Sequence, residues 1–239
     1  MNALILLVAV GLSFLGSYEN VETAVMALQK VEQPAREIPV AEIQALKSRV
    51  IDKYSRMGYP YTQITRVAKK LTHGNVNGLL ANWYLLPADF RTGMIHLFQA
   101  YGLEDMLFLM LYESAGQTDL VSSAGAIGLF QIMPATADKL CGIDEKQLGI
   151  LFDPETNAAC AAQILLKKGA IKNWRVGVIR YNGQLLRCNM AGYFQCLAQT
   201  IRGNNKKAAA AAQGSLDYFL NFLIYKEVGQ AFILERPTS

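Results

Sequence analysis

An uninterrupted apolar run ends at an acidic residue near the middle of the chain. Residues 106–112 read Met-Leu-Phe-Leu-Met-Leu-Tyr, and Glu113 follows them directly. A helix that is apolar on every side lies in a protein core rather than on its surface. The run therefore predicts a buried helix that ends in a carboxyl group, just before a loop rich in Gly and Ser.

Glu113 is a candidate catalytic acid on physical grounds. Burial disfavours the charged form of a carboxyl group, so we expect a raised pKa and a protonated side chain near neutral pH. A protonated carboxyl group beside a cleft can donate a proton to a leaving oxygen, as the acid of a glycosidase does. The alternative is a structural role, in which Glu113 reaches solvent or pairs with a lysine.

Hydrophobic spacing predicts an all-α protein. Ile43, Leu46, Val50 and Tyr54 recur at the steps of an amphipathic helix over residues 41–57, whereas no β-alternation is long enough to indicate a sheet. Further helices are predicted at residues 19–33, 61–71, 87–100, 134–140, 157–168 and 216–234. The last of these contains charged residues, which favours a core helix over a membrane span. Residues 206–213 are predicted to be a solvated loop or a helix end.

The N-terminal residues form an uncharged stretch. Residues 3–16 read ALILLVAVGLSFLG and are 14 residues long. A bilayer span needs about 20 apolar residues, so this length is more typical of a secretory signal or an anchor. A buried first helix of a soluble domain would have the same pattern. We expect residues 1–18 to be a signal peptide or membrane anchor.

Charge and composition exclude several classes of function. The 23 Lys and Arg exceed the 19 Asp and Glu by four, and the excess is spread along the chain. Without a basic block, nucleic acid is not an expected partner. The four cysteines form no C-x-x-C pair and there are only two histidines, so neither a metal site nor another cofactor is expected.

The cysteines can instead form disulfides. In an exported chain Cys141, Cys160, Cys188 and Cys196 permit two bonds with three possible connectivities. Four buried free thiols are the alternative, because free cysteine packs as a small hydrophobic residue. If the chain is exported, we expect Cys141 to pair with Cys160 and Cys188 with Cys196, since each pair closes a local loop.

The segment from Glu113 onward carries a dense motif. It resembles the lytic transglycosylases with a lysozyme-like (SLT) domain, whose pattern is Glu-Ser, a Ser nine residues after the Glu, and Gly-Ala-x-Gly-Leu-x-Gln-x-Met-Pro-x-Thr-Ala. Every fixed position is matched with its spacing. The matching residues are Glu113, Ser114, Ser122, Gly125, Ala126, Gly128, Leu129, Gln131, Met133, Pro134, Thr136 and Ala137.

Weaker similarities to this family follow, so that the resemblance covers about residues 95–185. Asp153 opens a segment similar to the family's helix after the catalytic lobe, and Tyr181-Asn182 is similar to the centre of its Ala-Tyr-Asn-Ala-Gly motif. Arg180, Gly183 and Gln184 replace the other three positions of that motif. Trp174 and Asp153 are most similar to the membrane-bound D-type subgroup.

The resemblance implies a fold and a reaction. The fold would be a lysozyme-like catalytic lobe at residues 95–239, preceded by a helical N-terminal region at 19–94. Glu113 would act as acid and then as base in cleaving peptidoglycan, leaving a 1,6-anhydromuramoyl end. Ser122 and Gln131 would contact the sugar, and Tyr181 would hold Glu113 in place. Other implied substrate-site residues are Asn182, which would fix its loop, and Phe130 and Met133, as apolar walls.

Two other functions remain open from the sequence. A hydrolase similar to goose-type lysozyme would need a second carboxylate, and Asp119 is the only acidic residue between Glu113 and Asp138. A wall-binding component of a secretion system or virion would have partners in that assembly. In all three readings we expect an exported or anchored protein of the periplasm or cell envelope, or a virion-associated one.

Overall fold

The computed structural model describes residues 37–183 and 193–234. The α-helices are α1 (Val40–Arg56), α2 (Tyr61–Ala68), α3 (His73–Leu85), α4 (Ala88–Ala100), α5 (Leu109–Glu113), α6 (Pro134–Cys141), α7 (Pro154–Lys167), α8 (Trp174–Tyr181), α9 (Tyr193–Arg202) and α10 (Lys206–Gly229). Two 3₁₀-helices (Glu104–Phe108 and Glu145–Phe152) and a terminal π-helix (Gln230–Leu234) complete them.

The described residues are all-α, as predicted. Over these two ranges there is no extended strand, only isolated bridges that join Val121 to Ile127 and Ile127 to Ile132. The predicted helix at 19–33, the apolar stretch at 3–16 and Cys188 lie outside the described residues. No helix among the described residues combines the length and the apolar character that a membrane span requires.

The structure differs from the prediction at several helices. Residues 206–213, predicted to be a solvated loop or a helix end, are the first turns of α10, in which Ala212 is buried. The Asn205 side chain caps this helix by accepting a hydrogen bond from the Ala208 amide at 3.0 Å. Helices α3 and α8 were not predicted, and both begin at a side-chain cap, Thr72 and Asn173 respectively. The apolar run near Glu113 is a 3₁₀-helix followed by the short α5 rather than one α-helix.

Helix α10 runs through the centre of the fold and contacts α1, α2, α5, α8 and α9. Its apolar side chains are buried in one hydrophobic cluster that extends along the chain from Ile38 to Phe232. Gly229 lies so close to the Phe108 ring that a Cβ atom there would be 2.0 Å from it. This contact packs α10 directly against the segment that leads to Glu113.

Polar contacts also join the N-terminal helices to α10. Glu227 accepts hydrogen bonds from the Lys53 ammonium at 2.7 Å and the Tyr54 hydroxyl at 2.6 Å. Residues 37–94 therefore pack against the later helices, as expected, while the boundary predicted at residue 94 stays a prediction.

One predicted disulfide is present. Cys141 at the end of α6 is bonded to Cys160 in α7. This bond ties together the two helices that follow the Gly-rich loop. The other predicted pair includes Cys188, which lies outside the described residues.

Candidate active site

Glu113 is the last residue of α5, and the helix that carries it is buried. Leu109, Met110 and Leu111 are each at most 1% exposed. Burial raises the pKa of Glu113 from 4.5 to about 7, while a hydrogen bond from the Tyr218 hydroxyl acts in the opposite direction. The carboxyl group can thus hold a proton near neutral pH and can also release it, which agrees with the expectation from the sequence.

Tyr218 on α10 is the direct partner of Glu113. Its hydroxyl donates a hydrogen bond to Oε1 of Glu113, and its ring packs edge-on against the Tyr112 ring with centroids 5.1 Å apart. Tyr218 is not among the site residues predicted from the sequence. A buried tyrosine hydroxyl normally has a hydrogen-bond partner. Because 104 residues separate Glu113 from Tyr218, the sequence pattern does not identify Glu113 as that partner.

Tyr181 lies near Glu113 but does not bond to it. Its hydroxyl donates to the backbone carbonyl of Phe130 at 2.9 Å. Burial and the nearby Glu113 carboxylate raise the pKa of Tyr181 well above its usual value. Tyr181 therefore lies beside Glu113 and holds the loop there, while the direct hydrogen bond to Glu113 comes from Tyr218.

Ser114 connects the end of α5 to the following loop. Its buried hydroxyl donates to the Leu129 carbonyl at 2.7 Å and lies 3.2 Å from the Met110 carbonyl. The amide of Gly116 donates to the same hydroxyl oxygen at 3.2 Å. Ser114 is therefore a structural residue that fixes the loop relative to Glu113.

Asn157 on α7 holds the far side of the same loop. It is fully buried; its Nδ2 donates to the Ile127 and Leu151 carbonyls, and its Oδ1 accepts from the Phe130 amide. Gly128 permits this close approach, because a Cβ there would lie 2.4 Å from Nδ2 of Asn157. The backbone of Gly128 is also left-handed, at φ 76°.

Gln131 lies in this loop with a positive φ of 49°. Its Nε2 donates to the Leu120 and Gly128 carbonyls, each at 3.0 Å. Within the described ranges no hydrogen bond involves its Oε1. The side chain is thus fixed by its amide nitrogen and keeps an acceptor for a ligand. A positive φ in a non-glycine residue is uncommon and often marks a functional site.

The remaining predicted site residues differ in their exposure. Ser122 is half-buried and its Oγ accepts from the Ala126 amide at 3.0 Å, which leaves the hydroxyl proton to donate. Met133 is 41% exposed and precedes α6. Asn182 is exposed at the end of α8.

Phe130 does not form an exposed wall. Its ring is fully buried and stacks on Phe98 with centroids 5.4 Å apart. A substrate cannot contact a ring in this position, so the expectation that Phe130 binds substrate is corrected. The loop buries this side chain in the core and presents the Phe130 carbonyl to Tyr181 instead.

Glu113 and the loop after it lie in a segment that matches a known family. Residues 99–192 match the family model described as the transglycosylase SLT domain. The match supports the SLT lysozyme-like family. The SLT domain implies lytic transglycosylase activity, with peptidoglycan as the substrate. Comparisons with curated proteins and with solved structures gave no match. Glu113 lies within the SLT domain, whereas its hydrogen-bond partner Tyr218 lies outside the matched residues.

Proposed function

We propose that this protein is a lytic transglycosylase that cleaves the β-1,4 bond between MurNAc and GlcNAc, with Glu113 as general acid and then base. The observation that carries the proposal is the Glu113 carboxyl group, which has a pKa of about 7 and is held by Tyr218 beside the SLT loop. A group with this pKa can serve both roles at neutral pH.

The reaction needs only one carboxyl group. Glu113 donates its proton to the glycosidic oxygen, the bond from that oxygen to C1 of MurNAc breaks, and the sugar's own N-acetyl oxygen bonds to C1. The Glu113 carboxylate then takes the proton of the 6-hydroxyl group as O6 bonds to C1 and displaces the acetamido oxygen. A 1,6-anhydroMurNAc end forms, Glu113 regains its proton, and no water is consumed.

The surroundings of Glu113 fit this scheme better than hydrolysis. Burial raises the pKa of Glu113, and no second carboxylate in the described chain contributes to that shift. Asp119, the candidate second carboxylate of a hydrolase, is exposed. The N-acetyl group of the substrate can replace the missing carboxylate, as it does in glycosidases with substrate assistance. Gln131 Oε1 and the Ser122 hydroxyl are the groups that we assign to binding it.

Product analysis tests the proposed reaction. Digestion of purified peptidoglycan should yield muramic ends that are lighter by one water molecule than reducing ends. In water labelled with oxygen-18, these ends should contain no label. Labelled reducing ends would instead show that the protein is a hydrolase similar to goose-type lysozyme. Tight binding of glycan strands without any cleavage would favour a wall-binding component.

Tyr218 is proposed to position Glu113 and to set its pKa. The Tyr218 hydrogen bond lowers the pKa of Glu113, so Tyr218→Phe should raise that pKa. Since the acid form of Glu113 starts the reaction, the alkaline limb of kcat/KM against pH should move to higher pH. Tyr225→Phe, on the same helix, is the control and should leave this limb in place. An unchanged limb in Tyr218→Phe would contradict the assigned role.

We further propose that the protein acts in the cell envelope, exported or anchored through residues 3–16. The Cys141–Cys160 disulfide supports this location, because such bonds persist in oxidising compartments. The similarity of Trp174 and Asp153 to the D-type subgroup is consistent with it. The protein's partners would then be components of an envelope or secretion machine, or of a virion, that are present in the cell envelope.

A further inference from the structure

An exposed lysine lies beside the proposed catalytic centre. The Lys70 ammonium is 6.0 Å from the centroid of the Tyr112 ring. Tyr112 directly precedes Glu113, and its ring packs against Tyr218, which bonds to Glu113. Lys70 is therefore separated from the hydrogen-bonded pair by a single half-buried ring. It belongs to the region before the SLT domain, which the family match does not cover.

The backbone of Lys70 is fixed where its side chain begins. Its amide donates to the Val67 carbonyl at 3.0 Å, and its carbonyl accepts from the Thr72 amide and the Asn75 side chain. Leu71, the next residue, is 3% exposed and anchors this turn in the core. The four methylene groups of Lys70 reach from this hydrogen-bonded turn to the Tyr112 ring.

The Asp217 carboxylate, which also lies near Tyr112, is already paired. Asp217 contributes to raising the pKa of Tyr112 to about 12, after burial and the charge of Glu113. Asp217 accepts hydrogen bonds from the Arg66 guanidinium and from Gln213. Lys70 forms no ion pair with any residue of the described chain. Lys70 is therefore a positive charge beside Tyr112 that no ion pair within the described residues compensates.

We propose that Lys70 binds a carboxylate of the peptide stem that peptidoglycan carries on its muramic acid. This inference rests on the proposed function. The GlcNAc and MurNAc rings offer hydroxyl and amide groups, whereas the stem attached to the lactyl group carries free carboxylates. A cation one ring away from the acid that cleaves beside MurNAc is in position for that stem. The Lys70 ammonium lies over the face of the Tyr112 ring.

The expected effect is small and specific. An exposed ion pair of this kind changes affinity by about two- to fivefold and weakens as salt screens it. Lys70→Met should therefore raise KM for peptide-bearing strands by about two- to fivefold with little change in kcat. It should leave KM unchanged for the same strands after an amidase has removed their peptides. Lys70→Arg should retain the KM of the unmodified protein.

Lys69→Met is the matched control, because Lys69 is the adjacent exposed lysine at the end of α2. It should leave KM unchanged for both substrates. Equal losses of Lys70→Met on both substrates, or no loss on either, would overturn the proposed stem-binding role. If the unmodified protein produces anhydro ends from neither substrate, the proposed function itself fails, and the stem-binding role fails with it.

Discussion

Glu113→Gln should lower kcat for cleavage of glycan strands by at least about 10²–10⁴-fold, the range that one general acid–base group contributes. Glutamine has nearly the shape of glutamate and can still accept a hydrogen bond from Tyr218, but it cannot release a proton to the glycosidic oxygen. The same substitution removes the base that takes the proton from the 6-hydroxyl group. Release of soluble muropeptides from purified peptidoglycan, followed by chromatography, measures the loss.

Binding and a matched variant separate this loss from misfolding. Sedimentation with insoluble peptidoglycan should show that Glu113→Gln still binds, since Ser122 and Gln131 are unchanged. Asp119→Asn removes an exposed carboxylate from the same region and should keep full activity. Full activity in Glu113→Gln would refute both the transglycosylase and the hydrolase mechanisms at this position. Loss of activity in Asp119→Asn would favour a hydrolase with two carboxylates.

The stability of Glu113→Gln should depend on pH in a defined direction. The pKa of Glu113 rises from 4.5 to about 7 on folding, mainly through burial. As pH rises through that interval, the unfolded chain loses this proton while the folded chain keeps it, so the free energy of unfolding falls. Glutamine has no such proton. The variant should therefore gain stability relative to the parent protein between pH 4.5 and about 7.

Local sequence was sufficient to predict the burial of Glu113 and its raised pKa. The run of apolar residues before Glu113 encodes burial, and burial is the main cause of the raised pKa. Part of the loop geometry is also local, because the Gly116 amide bonds to the Ser114 hydroxyl, the Gln131 side chain bonds to the Gly128 carbonyl, and Gly128 has a left-handed backbone. Local geometry of this kind leaves a pattern in sequence.

Contacts between segments that are distant in the chain could not be predicted from local sequence patterns. Tyr218 has the spacing of a core helix residue, and only the packing of α10 against α5 brings its hydroxyl to Glu113. Phe130 was misassigned for the opposite reason, since a residue in the motif was taken to face the substrate, whereas its ring packs on Phe98. Hydrophobic spacing alone does not identify which neighbour a buried aromatic residue meets.

Asn157→Ala should cause the largest loss of stability among the variants considered, about 3 kcal/mol or more. The alanine would leave the Leu151 carbonyl and the Phe130 amide without their Asn157 partner, and the Ile127 carbonyl would keep only its bond from the Ile132 amide. All three belong to buried hydrogen bonds of 2.8–3.0 Å. Each unsatisfied buried group costs about 1–3 kcal/mol, and relaxation of the loop recovers part of that cost. Activity should fall as well, because these bonds fix the loop that carries Gln131.

Urea unfolding followed by circular dichroism measures this effect, and Asn205→Ala is the matched control. Asn205 makes one exposed hydrogen bond as the N-terminal cap of α10, so its loss should cost only about 1 kcal/mol. If Asn157→Ala is too unstable to give a native baseline, the two variants can be ranked by how much helical signal each has lost in the absence of denaturant. A cost for Asn157→Ala no larger than that for Asn205→Ala would show that α7 does not anchor the loop.

Gly128→Ala tests the same contact from the other side, because its Cβ would lie 2.4 Å from both Asn157 Nδ2 and the Leu151 carbonyl. It should destabilise the protein through that clash and through its positive φ.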